Sequence, residues 1–499
     1  MRRASVDLTR RRMAPAVAAA AAAALLCGCT VGPNFHRPAA PAIPAYRPAA
    51  DSNPLGTAAA AAARNAPTAS PYEQRMVLGA PVVPQWWTLF GSPQLDELIR
   101  HAIADNHGLA AARATLAQAQ ELVAAQTGRL FPQVGLQAGA GREQYGKQFL
   151  GSLVPKVAPF TYESFGASVS YTLDYDGAIA RSIEEQKALA QYERSELDAA
   201  QLTLTGDVAS EAVIIAATRG EIRAAAELLS EDRNNLGLVR TAFANGSVSK
   251  LDVLTAQSQL ASDQALLPPL YQQLSMARHA LAVLLGHPPA EWSQPDLELA
   301  DLRLPRQLPL SVPSQLVRRR PDILAAEAQL HAATAAVGVA TANLYPQIAL
   351  TATLGQQALT PGKLFDTSST AWSLIAGLTQ PLFDGGTLRA ERRASLDALQ
   401  ASAARYQQVV LDSFGQVADQ LDALDHDAQL VAAQANARDT SQASLDLARQ
   451  SYQAGNSGIL QVLDAQRERQ RAQLGLLQAQ SRQYLDTVQL LLAVGGPLS

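Results

Sequence analysis

The sequence predicts an α+β membrane protein made of two tandem repeats, each placing a pair of short amphipathic strands between very long helices. Three observations lead there. "LFPQVGLQ" at Leu130 returns as "LYPQIALT" at Leu344, "YDGAIAR" at Tyr175 as "FDGGTLR" at Phe383, and "FANGSVSKLDVLTAQ" at Phe243 as "YQAGNSGILQVLDAQ" at Tyr452, at offsets of 208 to 214 residues. After each first phrase the pattern switches to strict alternation, the period of a strand with one apolar face. Each strand pair is followed by about 65 residues without proline, which as helix extend about 100 Å, more than any globular core requires.

The chain opens with an address. Arg2, Arg3, Arg10, Arg11 and Arg12, opposed only by Asp7, precede an Ala-rich run and then "LLCGCT". That order is a secretion signal, and Leu26-Cys27-Gly28-Cys29 has lipobox spacing, so cleavage of residues 1–28 leaves Cys29 as an acylated first residue. Cys27 and Cys29 are the only cysteines, and no disulfide competes for them. Thr30 after the cysteine fits sorting to the outer membrane. Met13 is an alternative initiator, and Arg11-Arg12 lacks the flanking consensus of a twin-arginine signal. Residues 29–84 are rich in Ala, Pro and polar residues without apolar period, and read as an extended tether from a lipid anchor.

The first repeat is expected over 85–287. An Ala- and Leu-rich helix runs from Gln94 to Thr127. Val134, Leu136, Ala138 and Ala140 then alternate with Gln133, Gly135, Gln137 and Gly139, and Phe165, Ala167, Val169, Tyr171 and Leu173 alternate with Gly166, Ser168, Ser170, Thr172 and Asp174. Gly177 introduces a helix over 178–244, Gly246 turns the chain, and a return helix over 250–285 is interrupted at Pro268-Pro269. A Pro-rich linker, 288–313, leads to the second repeat, 314–499. There the order recurs: helix 321–343, strands on Ile348 to Leu354 and Trp372 to Leu378, Gly385, helix 386–454, a turn at Gly455 and a return helix over 459–494. Ile375 spoils an otherwise polar strand face.

Four such strands make a poor soluble sheet, because an apolar face and two free edges invite aggregation. In lipid every backbone group must pair, so a barrel must close, and closure takes at least about eight strands. The membrane reading therefore requires an oligomer. Tyr145, Phe149, Phe160, Tyr162, Phe365 and Phe383 sit near strand ends, where interface aromatics belong. No stretch has the roughly 20 mostly large apolar residues of a membrane-spanning helix. Loss of residues 1–28 removes five arginines and one aspartate, taking the formal charge from -4 to -8, which argues against nucleic acid as a partner. His36, His101, His107, His279, His287, His331 and His426 show no metal-ligand spacing, and Gly135, Gly139 and Gly141 lie in a strand pattern rather than before a helix. Mature methionines are Met76 and Met276 alone, so a Met-lined copper path has no support. The expectation is no enzyme, no metal and no cofactor beyond the covalent lipid on Cys29.

"CTVGPNFHRP" at Cys29, "WWTLFGSPQLDELI" at Trp86, "RRRPDILAAEAQL" at Arg318, the paired "LFPQ" and "LYPQ", "PLFDGG" at Pro381 and "VLDAQR" at Val462 together resemble the TolC-like outer-membrane efflux channels. The likeness is to their lipoprotein branch, the NodT-type outer membrane factors of RND-type multidrug tripartite pumps, and covers nearly the whole chain from Cys29. It implies a homotrimer whose twelve strands form an outer-membrane β-barrel, continued by a long periplasmic α-helical barrel. It also implies a periplasmic adaptor and an inner-membrane RND-type transporter as partners, and a channel that is passive. In such channels the periplasmic helix tips close like an iris, and the constriction motif falls on Leu460 and Asp464, with Gln461 where some relatives have an acid. Three aspartates near a threefold axis would repel one another and attract cations, while a leucine ring seals by dewetting. Asp252, matching Gln461 in the first repeat, is a candidate for a second acidic set, and Gly246 and Gly455 are expected to form the tip turns. Two alternatives are a type I protein-secretion channel of the same fold and a periplasmic adaptor-like helical hairpin protein.

Overall fold

The computed structural model describes residues 30–43, 45–47, 74–80, 83–144, 158–292 and 296–495. Cys29, Tyr145 and Phe149 lie outside them. In chain order the elements are β1 (Arg75–Leu78), α1 (Pro93–Asp105), α2 (His107–Gly128), β2 (Gln133–Glu143), β3 (Phe160–Leu173), α3 (Ala178–Ala244), α4 (Lys250–Gln264), α5 (Leu267–Leu284), β4 (Gln307–Leu310), α6 (Pro313–Leu316), α7 (Pro321–Ala342), β5 (Gln347–Ala358), β6 (Thr370–Thr379), α8 (Thr387–Gln453) and α9 (Ile459–Val494). Two compact units result. One takes the described residues within Met1–Arg37 with Thr115–Glu193 and Ala326–Tyr406; the other takes those within Pro38–Ala114, Arg194–Ala325 and Gln407–Ser499.

In the first unit the two strand pairs form one antiparallel sheet of order β2-β3-β5-β6, joined across the repeats by β3 and β5. Register places apolar residues in continuous rows: Leu136, Ala167, Leu354 and Trp372 lie abreast, as do Val134, Val169, Ala352 and Leu374. These rows are not a core. Leu136 is 77% exposed and Trp372 75%. Gly166 and Gly355 face each other where a side chain on either would meet the opposite backbone, at 2.8 Å, so the central pair approaches closely only because both are glycine.

The start of the expected tether is pinned to this unit. Val31 donates its N–H to Asp176 O at 3.1 Å, while buried Arg181 donates to Val31 O and, at 2.6 Å, to Asn34 Oδ1. Phe35 stacks on His331 at 4.3 Å, and Arg37 pairs with Glu327. Burial pushes the Glu184 carboxyl up, but hydrogen bonds from His331 and Arg181 outweigh it and hold the group below its ordinary value.

The second unit contains the large core. "WWTLF" is a 3-10 turn burying Trp86, Trp87 and Phe90; Ser92 caps α1, accepting from Leu95 N, with Pro93 in the first turn. Leu95, Leu98 and Ile99 pack with Leu281, Leu285, Leu308, Leu316, Val488 and Leu491. Arg320, from the "RRRPD" run, is buried and donates to Ala493 O at the end of α9, to Gln416 Oε1 and to Asp322.

Three features differ from expectation. The helix expected over 94–127 breaks at Asn106, whose Nδ2 donates to Leu284 O while its Oδ1 accepts from Leu109 N, rewarding an extended residue there. The tether holds β1, which pairs in parallel with β4 inside the expected linker, and Tyr46 and Arg47 fasten to Ser311 O and to Asp422 and Asp425. Third, α7 is long and apolar enough by composition to cross a membrane, although half of that stretch is buried within the protein. It is a helix of mostly small residues.

Candidate functional site: the helix tips

The tips are built by two helix reversals of one design. At the end of α3, Gly246 N–H bonds Phe243 O and Ser247 N–H bonds Ala242 O; at the end of α8, Gly455 bonds Tyr452 O and Asn456 bonds Ser451 O. Both are Schellman closures, which need a left-handed residue. Gly246 has φ 70° and Gly455 φ 74°, and open space surrounds the Cβ position of each, so the backbone angle alone explains these glycines. The structure thus puts both expected turn residues at the turns.

Asp252 lies one turn into α4, where it completes a capping box: its Oδ2 accepts Ser249 N–H at 2.8 Å while Ser249 Oγ accepts Asp252 N–H. Hydrogen bonds from the Ser249 side chain and backbone hold its carboxyl below the ordinary value. That local task accounts for an acid here.

On α9 the helical period separates two faces. Ile459, Val462 and Leu463 are buried in one cluster with Leu236, Val239, Val253, Ala256, Leu445 and Ala448, which ties the ends of α3, α4, α8 and α9 together. Leu460 and Asp464, one turn apart, lie on the other face, Leu460 47% exposed and the Asp464 side chain 71%. Leu251, the first-repeat counterpart of Leu460, is also exposed. Leu460 is thus an apolar side chain on the exposed face, one turn from an acid. Asp464 pairs with Arg467 at 3.4 Å.

Behind this face lies a polar network that sequence inspection did not single out. Asn235 donates to Gln466 Oε1 at 2.6 Å, and Glu231 receives both Arg469 and Arg449. Gln466 is buried, and its match with Gln257 across the repeats was the only sequence signal for it.

Comparison with known proteins fixes the family. The profile described as outer membrane efflux protein matches residues 98–287 and 312–496. The chain is 34% identical over 421 residues to the pyoverdine export outer membrane protein OpmQ of Pseudomonas aeruginosa, covering 83% of this chain and 87% of that one. It is 27% identical to the probable outer membrane lipoprotein SilC of Salmonella typhimurium, covering 82% and 87%. Among solved structures, the outer-membrane channel OprN superposes with a TM-score of 0.82 at 28% identity, covering 94% of this chain and 100% of that one. The chain belongs to the outer membrane efflux protein family and is the outer-membrane component of an efflux pump, with a periplasmic extension.

Proposed function

We propose that three copies of this chain form a passive conduit that carries small molecules from a periplasmic adaptor and an inner-membrane RND-type transporter to the exterior. The observation that carries this reading is the sheet of β2, β3, β5 and β6: one face apolar and exposed, both edges unpaired among the described residues. Its strands alternate in direction, so β6 of one copy meets β2 of the next antiparallel, and any ring of copies is a regular up-and-down barrel. Three copies give twelve strands, in keeping with the family. Cys29, freed by removal of 1–28, carries the lipid. Residues 29–84 then lead to repeats at 85–287 and 314–499, joined by 288–313.

The tips form the gate. Leu460 supplies the apolar constriction and Asp464 the acidic ring, while Asp252 adds charge nearby but is committed to its cap. Small-molecule cargo is supported by likeness to an export protein named for pyoverdine. The test is planar-bilayer conductance of the trimer carrying Leu460→Ala with Asp464→Ala. Several-fold higher conductance is expected; unchanged conductance in a normally assembled trimer would remove the gate from these residues.

A further inference from the structure

The segment α4 is a short lever. It follows the Gly246 turn, buries only Val253 and Ala256, and ends at Gln264. The helix resumes at Leu267 with Pro268 and Pro269 in its first turn, neither of which can donate a backbone hydrogen bond, so 265–266 is a natural hinge. Asp263, the penultimate residue of α4, sits directly at that hinge.

Across from it, on α3, is Asp232, 4% exposed. Its carboxyl lies within hydrogen-bonding reach of the Asp263 carboxyl. The roles of the two differ. Asp263 Oδ2 accepts from Gln259 Nε2 at 2.6 Å, which suits a carboxylate. Asp232 Oδ1 faces Gln466 Nε2 at 3.5 Å, but its buried Oδ2 receives no donor from any other described residue. Two carboxylates in contact with no cation between them repel; one proton on Asp232 Oδ2, donated to Asp263, satisfies both.

We propose that a proton shared between Asp232 and Asp263 latches α4 against α3, and that its loss releases the tip segment at the 265–266 hinge. The charges that act on Asp232 come from three helices. Glu231 stands beside Asp232 on α3, with its own cations Arg449 from α8 and Arg469 from α9. Among the described residues, Arg467 of α9 is the cation whose charge favours ionised Asp232. Burial first, then the Asp263 carboxyl and Glu231, push Asp232 up to about 7. A carboxyl raised on folding stabilises the closed form at low pH and stops doing so as pH rises through that value. Arg467 also pairs with Asp464, so on the gate reading above, ionised Asp232 competes with the acidic ring for the same guanidinium.

The experiment is hydrogen–deuterium exchange of peptides from 250–264 in the full-length trimer in detergent, with EDTA present and rates corrected for intrinsic pH dependence. Between pH 6 and pH 8 wild-type protection should fall about tenfold, the linkage of one proton near pH 7. In Asp232→Asn, whose amide donates to Asp263 permanently, protection should stay high and flat; in Asp232→Ala it should stay low and flat. A flat wild-type profile, or the same fall in Asp232→Asn, overturns the latch. Conductance of the same samples bears separately on the gate: exchange that follows pH while conductance does not would remove the role given to Asp464 and leave the latch standing.

Discussion

Single residues carry two kinds of task, and they were unequally legible. Leu460 and Asp464 were reached through the family resemblance, whose constriction motif falls on them, and the helical period then puts the two on the face of α9 opposite its buried cluster. Asp232 and Asp263 could not be found, since an acid on a long Ala-rich helix looks like any solvated position until its cross-hairpin partner is known. Arg320 was visible as part of a motif but not as a hub. Its guanidinium ties Ala493 O, Gln416 and Asp322 in a buried setting, so Arg320→Ala should lower stability by about 3 kcal/mol, read from the unfolding midpoint in detergent. Arg320→Lys should recover only part of this, because one ammonium cannot reproduce the planar fork. Gly455→Ala should cost about 1 kcal/mol through its positive φ alone, as nothing crowds the site.

Among the elements, the strands and long helices were readable because each follows one period over many residues: α3 and α9 start and stop where Gly and the loss of pattern say they should. The misses depend on distant partners. Asn106 is neutral in a helical pattern, and the bond that fixes it is donated by its Nδ2 to Leu284 O, 178 residues away in sequence. Four residues of β1 carry no recognisable alternation without β4. The segment 30–37 shows no periodicity at all, yet it is fastened by close backbone approach: a Cβ on Gly32 would stand 2.5 Å from Gly338 Cα, and Gly32 has φ 91°. Gly32→Ala should therefore detach it. Chymotrypsin cleavage after Phe35, now stacked on His331, should become at least several-fold faster, and an unchanged rate would show that Arg181 alone holds the segment.

At the scale of the whole molecule, the duplicated sequence is half of the explanation for a barrel and the unpaired edges are the other half. Pairing of β3 with β5 consumes one edge from each repeat and leaves β2 and β6 as the free edges among the described residues. A single chain in lipid would leave both edge ladders unsatisfied, which costs several kcal/mol per group, so assembly and insertion should be one event rather than two. The outward apolar rows reinforce this, because they run unbroken from β2 to β6 and would continue into a neighbouring copy. Cys27 and Cys29 are the only cysteines of the sequence, and on the lipoprotein reading proposed above the first is cleaved off and the second acylated, so introduced thiols report without background. Carrying Gln137→Cys in β2 together with Ser373→Cys in β6, the protein should be joined by a short bis-maleimide into two- and three-chain species and nothing larger, while either single variant should give none. A ladder that stops at two chains or climbs past three would refute trimeric closure. Joining within one chain would show that β2 and β6 meet each other instead of a neighbour.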